Sequence, residues 1–193
     1  MGSLIYLIFL LFSTTSARLF EGQCRTMLSP VVFPFNYNRY MGTWYEIEWY
    51  DDEYPTYDEC IKFTYTKTSR NAFTMTLDLK QSNNGFAAQQ FQGHGIVSEP
   101  GLLPRGVFTP GQLSTTYDAG PPTRINHQIL ATNYKSYAFV WDCMNVNGTH
   151  YNEKMWYFDR QPNPVGRPVK VQKLISQYFN EAYIRKTYHG PNC

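Results

Sequence analysis

The feature that most limits how this chain can fold is a succession of short segments rich in Tyr, Phe, Thr, Val and Trp, many of them closed by a turn signal. Residues 43–51, 61–68, 72–80, 89–98, 125–133, 136–143 and 151–160 share this character. Turn-forming runs stand at 69–71, 82–85 and 145–148. Segments of this length and composition, bounded by Gly, Asn and Ser, read as strands joined by tight connections. A further strand is expected near 103–109, where Pro104 and Pro110 blur its ends. The surrounding stretch 99–122 is rich in Pro and Gly and leaves its strand boundaries open. Towards the C-terminus the period changes. Val171, Leu174, Ile175, Tyr178, Phe179 and Ala182 recur at helical spacing behind Pro168, with Lys170, Lys173 and Gln177 largely on other faces. Many antiparallel strands followed by one amphipathic helix point to an all-β barrel or sandwich with a packed helix. The 193 residues suit one domain, and no internal repeat or linker divides them.

The N-terminus carries an apolar run from Leu4 to Phe12, then small residues as far as Ala17. A bilayer span needs about 20 apolar residues, so this run is too short for one. It reads instead as a secretory signal, residues 1–17, cleaved after Ala17 to leave a mature domain at 18–193. No other run approaches spanning length, so no integral membrane segment is expected. Export agrees with the cysteines Cys24, Cys60, Cys143 and Cys193, an even set of 4 without C-x-x-C spacing. That pattern reads as two disulfides, with three connectivities open, rather than a zinc or redox site. Asn147-Gly148-Thr149 is a glycosylation sequon whose Asn-Gly pair also marks a turn. A formal charge of +2, with both signs mixed along the chain, gives no basic stripe for a nucleic acid.

The run FNYNRYMGTWYEIEWY, residues 35–50, crowds aromatic rings and glutamates around Gly42-x-Trp44. It resembles the first conserved block of the lipocalins. Residues 129–143, ILATNYKSYAFVWDC, resemble the second block, with Thr132-Asn133-Tyr134 where the family has Thr-Asp-Tyr. Residues 156–164, WYFDRQPNP, resemble the third, whose key residue is Arg160 here. The blocks occur in order across the mature chain, with a flavour closest to the apolipoprotein D-like branch that includes insect Lazarillo-type and bilin-binding carriers. The resemblance implies an eight-stranded antiparallel up-and-down barrel with one C-terminal helix packed on it. It also implies that Arg160 stacks on Trp44 at the closed end, and that the disulfides are Cys24–Cys143 and Cys60–Cys193.

Strict alternation places Trp44, Glu46, Glu48 and Tyr50 on one face, and Tyr45, Ile47 and Trp49 on the other. If Trp44 points inward, the glutamates follow, and Glu46 needs partners from the lid backbone or tyrosine hydroxyls. Parity anchored on the blocks nominates a cavity lining of Phe63, Tyr65, Met75, Leu77, Phe91, His127, Ile129, Val140, Lys154, Trp156 and Phe158. Phe73, Leu79, Ala131 and Ala138 share those faces. Ordinary barrel core is the competing reading, and for Leu77, Ile129 and Val140 it is nearly as strong. His127 and Trp156 favour a pocket, because polar-tipped rings suit orienting a ligand in an apolar space.

Barrels of this family usually enclose one small hydrophobic ligand. The resemblance therefore implies a secreted carrier or scavenger of a lipid, fatty acid, steroid or bilin pigment. No cofactor is required, although a bilin chromophore is one candidate cargo. An enzyme is the weaker alternative. The prostaglandin-isomerising lipocalins use a free cavity cysteine, and the chain has no G-x-S-x-G, H-E-x-x-H or P-loop. Gly93-His94-Gly95 is too short for a dinucleotide fingerprint, and the 4 histidines show no metal-ligand spacing. A third reading is an interaction module. The acidic loop 51–59 would lie at the barrel mouth, as a lid, a contact for a cell-surface receptor, or simply a solvated loop.

Overall fold

A computed structural model describes residues 19–25, 31–50, 57–97, 111–119 and 124–193. The leader expected at 1–17, the strand expected near 103–109 and most of the acidic loop 51–59 lie outside these residues. Strand β1 (Phe20–Glu21) and helix α1 (Tyr37–Tyr40) lead into β2 (Gly42–Tyr50), β3 (Asp58–Lys67), β4 (Ala72–Gln81) and β5 (Ala87–Val97). There follow β6 (Gln112–Tyr117), β7 (Arg124–Thr132), β8 (Tyr137–Asn145) and β9 (His150–Asp159), then α2 (Val169–Tyr178) and β10 (Ile184–Lys186). From β2 to β9 each strand pairs antiparallel with the next, and β9 returns to pair with β2. This is the expected eight-stranded up-and-down barrel with its C-terminal helix. Closure removes the open edges that a sheet of this size would otherwise present. Strand β6 is the addition. It begins just past the Pro110-Gly111 pair, in the stretch whose strand boundaries the sequence left open.

Two β-bulges alter the faces that simple alternation assigns. Between Glu46 and Glu48 the pairing of β2 with β9 slips, so that Ile47 is an extra residue. Glu46 stands opposite Phe158 on the inner face, whereas Glu48 stands opposite Tyr157 on the outer one. Trp49 therefore points into the barrel and Tyr50 packs outside it, the reverse of the strict-parity expectation for Glu48, Trp49 and Tyr50. A second slip in β7, between Ile129 and Ala131, moves Ala131 to the outer face with Phe139. The expectation that Ala131 shares a face with His127 and Ile129 fails for that reason. Glu46 also finds a different partner from those expected, accepting from the Thr187 hydroxyl at 2.9 Å. Glu48 is held outside by Arg167 at 2.6 Å.

The floor is built from all three sequence blocks. The Arg160 guanidinium lies 3.5 Å from the Trp44 ring centroid. It donates to the carbonyls of Thr43 (2.6 Å), Met41 (2.9 Å) and Tyr40 (3.0 Å). The Trp44 indole N–H also donates to Tyr40 O, at 2.8 Å. Gly42 has φ +95°, and a Cβ there would sit 3.3 Å from Arg160 Nη1, which explains the glycine of the first block. In the second block, Thr132 Oγ1 accepts from Tyr134 N–H (2.9 Å) and donates to Tyr137 O (2.6 Å). Asn133 Oδ1 accepts from the N–H groups of Lys135, Ser136 and Tyr137. An amide oxygen thus holds the turn as a carboxylate would, so the departure from Asp at this position costs the turn no acceptor.

Helix α2 lies on the outer faces of β7, β8 and β9. Val171, Leu174 and Ile175 bury against Leu130, Phe139, Trp141, Met155 and Tyr157. The helix stops at Tyr178, and Phe179 continues in extended conformation while remaining buried. Ala182 belongs to the following 3-10 turn rather than the helix. Arg25 joins the N-terminal segment to this layer through both carboxylate oxygens of Glu153 and the carbonyl of Tyr178. Glu153 in turn accepts from the Trp141 indole at 2.9 Å.

The disulfides are Cys24–Cys143 and Cys60–Cys193, spanning 119 and 133 residues, as the family resemblance implied. Loops of this size allow about 4.7 kcal/mol of chain-entropy stabilisation each. The second anchors a tail that fills the gap where β2 leaves β3: β10 pairs with the end of β2, and the His189 ring donates to Glu46 O at 2.6 Å.

Arg160→Ala should lower unfolding stability by about 1–3 kcal/mol, through lost stacking and unpaired floor carbonyls. Urea unfolding of variant and parent measures this. Equal midpoints would contradict the structural role assigned to the contact.

Candidate functional site

Alternation on the barrel strands turns every second side chain toward the axis. Near the floor the rings interlock: Tyr40 lies 5.1 Å from Trp44 and 5.8 Å from Tyr65, and Tyr65 lies 5.6 Å from Phe73. Above them Phe63 meets Phe158 at 5.3 Å. Met75 stands opposite Gly93, and Phe73 opposite Gly95. A Cβ at Gly95 would come within 2.5 Å of the Phe73 ring, and one at Gly93 within 3.3 Å of the Met75 methyl. The Gly93-His94-Gly95 stretch thus makes room for β4 side chains that lean over β5. Toward the mouth Leu77 pairs with Phe91, and Val140 stands opposite both Ile129 and Trp156.

The nominated lining therefore converges on one space. Phe63, Tyr65, Met75, Leu77, Ile129, Val140, Trp156 and Phe158 are buried in a single interior cluster, against which the half-buried Phe91 packs. His127 is 3% exposed and lies edge-on to Trp156 at 5.1 Å. Lys154 shares the inner face of β9 and stands opposite Asp142 on β8. Parity alone missed several groups on this wall. Trp49 was hidden by the bulge, and Leu113 and Thr115 by the unrecognised β6. Ile125 and Asp142 lay on recognised strands at the right parity, a signal that could have found them.

Polar atoms are few on this wall, and two of them lack partners. His127 Nδ1 and Thr115 Oγ1 are buried with no hydrogen-bond partner among the described residues, as is the Tyr40 hydroxyl at the floor. Burial pushes the His127 imidazole down to about 4, so it is neutral at physiological pH. Burial also raises the Asp142 carboxyl to about 6, against the opposing pull of Lys154 and of backbone N–H groups at Cys143 and Asn126. All four cysteines are in disulfides. Among the described residues no group of three or more His, Cys, Asp or Glu could hold a metal ion. The arrangement presents an apolar interior with a small number of polar contacts.

A cleft of about 350 Å³ also opens outside the barrel, between Lys135–Ser136 and the 164–168 loop. The groups at its base already serve the fold. Tyr157 Oη donates to Asp159 at 3.1 Å, Asp159 accepts from Gln161 N–H at 2.9 Å, and Arg160 holds the floor.

Neutral burial of His127 has a pH consequence. Its folded-state pKa lies below the unfolded value of 6.5, so the unfolded chain binds the extra proton first. The stabilisation from keeping it neutral is complete above 6.5 and is lost as pH falls toward 4. Asp142 acts in the opposite sense, because protonation near pH 6 relieves its buried charge. Comparison of wild type with His127→Phe isolates the first effect. Between pH 7 and pH 4 the difference should move by about 2–3 kcal/mol in favour of the variant. A pH-independent difference would show that His127 is protonated within the fold.

No family model matches the chain. Bovine apolipoprotein D is 25% identical over 134 residues, covering 69% of this chain and 65%, just under two thirds, of that relative. The crustacyanin-A1 subunit of the lobster Homarus gammarus is 23% identical over 163 residues, covering 82% of this chain and 81% of that one. Among solved structures, insecticyanin from the tobacco hornworm Manduca sexta superposes with a TM-score of 0.72 at 16% identity, covering 91% of both chains. Sequence similarity across most of the chain, together with the closed barrel and its packed C-terminal helix, makes this chain similar to the lipocalins and gives it their fold.

Proposed function

We propose that this lipocalin-like protein is a secreted carrier or scavenger that holds one small hydrophobic ligand inside its barrel. The observation that carries the reading is the interior itself. Every barrel strand contributes inward apolar or aromatic groups, and His127 and Trp156 bring polar-tipped rings to the same wall. The lipocalin relatives support binding of this general kind, and an apolar cavity with a few placed polar groups is the usual form of a small-molecule site. Cargo of lipid, fatty acid, steroid or bilin type fits such a lining.

The leader at 1–17 and two long-range disulfides agree with export to an oxidising compartment. Asn147 sits in the exposed turn between β8 and β9, where a glycan would project into solvent; its Oδ1 accepts from Thr149 and His150 N–H groups. A catalytic thiolate of the prostaglandin-isomerising kind would have to come from a cysteine already in a disulfide, which favours carriage over chemistry.

Titration with retinoids, fatty acids, steroids and bilins should quench tryptophan fluorescence with one-to-one stoichiometry. Micromolar or tighter binding, about −8 kcal/mol or better, is expected for at least one class. Trp156→Phe should diminish the response. A flat signal across the whole panel would overturn the carrier reading, and a visible absorption band in the native protein would identify a bilin.

A further inference from the structure

We propose that the cargo is an uncharged, largely apolar molecule carrying one hydroxyl or carbonyl group, seated between Thr115 and His127. This rests on the carrier reading above and specifies the chemistry of the same interior. Strands β6 and β7 pair with Leu113 opposite His127 and Thr115 opposite Ile125. Thr115 and His127 are therefore diagonal neighbours on one inner face, with backbones about 7–8 Å apart. Both side chains are nine-tenths buried or more, and each leaves a polar atom unpartnered among the described residues. A buried polar group without a partner is costly to the fold, so a pair of them on an otherwise apolar wall marks where a ligand atom belongs.

Their chemistry selects the ligand group. A threonine hydroxyl can donate and accept, and the Nδ1 of a neutral imidazole does one or the other according to tautomer. Together they offer a donor and an acceptor, the complement of a hydroxyl, or a donor for a carbonyl oxygen. A carboxylate placed there would need a cation. Lys154, the nominated cation on the inner wall, stands opposite Asp142. An ammonium would need a free carboxylate, but Asp142 faces Lys154 and Glu46 is engaged by Thr187. Taking either ion out of water without a free counter-charge is unfavourable.

Isothermal titration at pH 7.5 with decanol, decanoate and decylamine compares one chain length with three head groups. The alcohol should bind at least tenfold more tightly than either ion. Thr115→Val and His127→Phe should each weaken decanol about tenfold and leave the two ions within about twofold. Tighter or equal binding of decanoate or decylamine would overturn the proposal while leaving the carrier reading intact. So would a Thr115→Val variant that weakens all three alike. Failure of all three to bind would overturn the proposal and leave the carrier reading to the wider ligand panel above. The ranking in the unmutated protein decides the matter even where a variant does not fold.

Discussion

The contact on which the rest of this structure depends is the Arg160 guanidinium laid on the Trp44 indole, 3.5 Å from its centre. A closed barrel of this size needs one end sealed, and the seal here is a charged group in a half-buried setting. It persists because every face of the guanidinium is used. One plane meets the ring, and the N–H groups meet carbonyls of residues 39–43, which lie where α1 ends and β2 begins. Without the guanidinium each of those carbonyls would lose a donor at the junction of α1 and β2. The arginine therefore fixes the angle at which the chain enters the barrel, and through Tyr40 it sets the bottom layer of rings.

A second set of ties works from outside. Arg25, Glu153 and Trp141 join the N-terminal segment to β8, β9 and the end of α2. Cys24–Cys143 closes the same region covalently. On the other side Cys60–Cys193, Thr187 and His189 hold the C-terminal tail where β2 and β3 part. The described N-terminal segment and the C-terminal tail are thus fastened to the barrel wall, and α1 closes the floor. The interior retains polar atoms, Thr115 Oγ1 and His127 Nδ1, that a core built only for stability would replace.

Much of this was legible in the residues. Alternating aromatic and β-branched positions identify the strands, the helical period identifies α2, and Gly42, Trp44 and Arg160 identify the floor. What escaped did so for physical reasons. A bulge adds one residue to one strand, and a period-two pattern cannot register it. The glutamates around Ile47 look alike in sequence, yet Glu46 faces Phe158 and Glu48 faces Arg167. Leu130 does the same to Ala131. Strand β6 is short and half Ser and Thr, beside a Pro-Gly pair, so its inward Leu113 and Thr115 carry no readable pattern. Partners set by the tail, such as Thr187 for Glu46, are separated by 141 residues and arise only from the closed fold.

Carriage requires that the barrel interior be an occupied binding site and not merely a well-packed core. Native mass spectrometry of the protein purified from its natural source under mild conditions addresses that directly. A carrier should show one small apolar molecule per chain, released by organic extraction and taken up again by the extracted protein. A mass equal to the disulfide-bonded chain with any attached glycan alone, together with no uptake on incubation with apolar compounds, would contradict carriage.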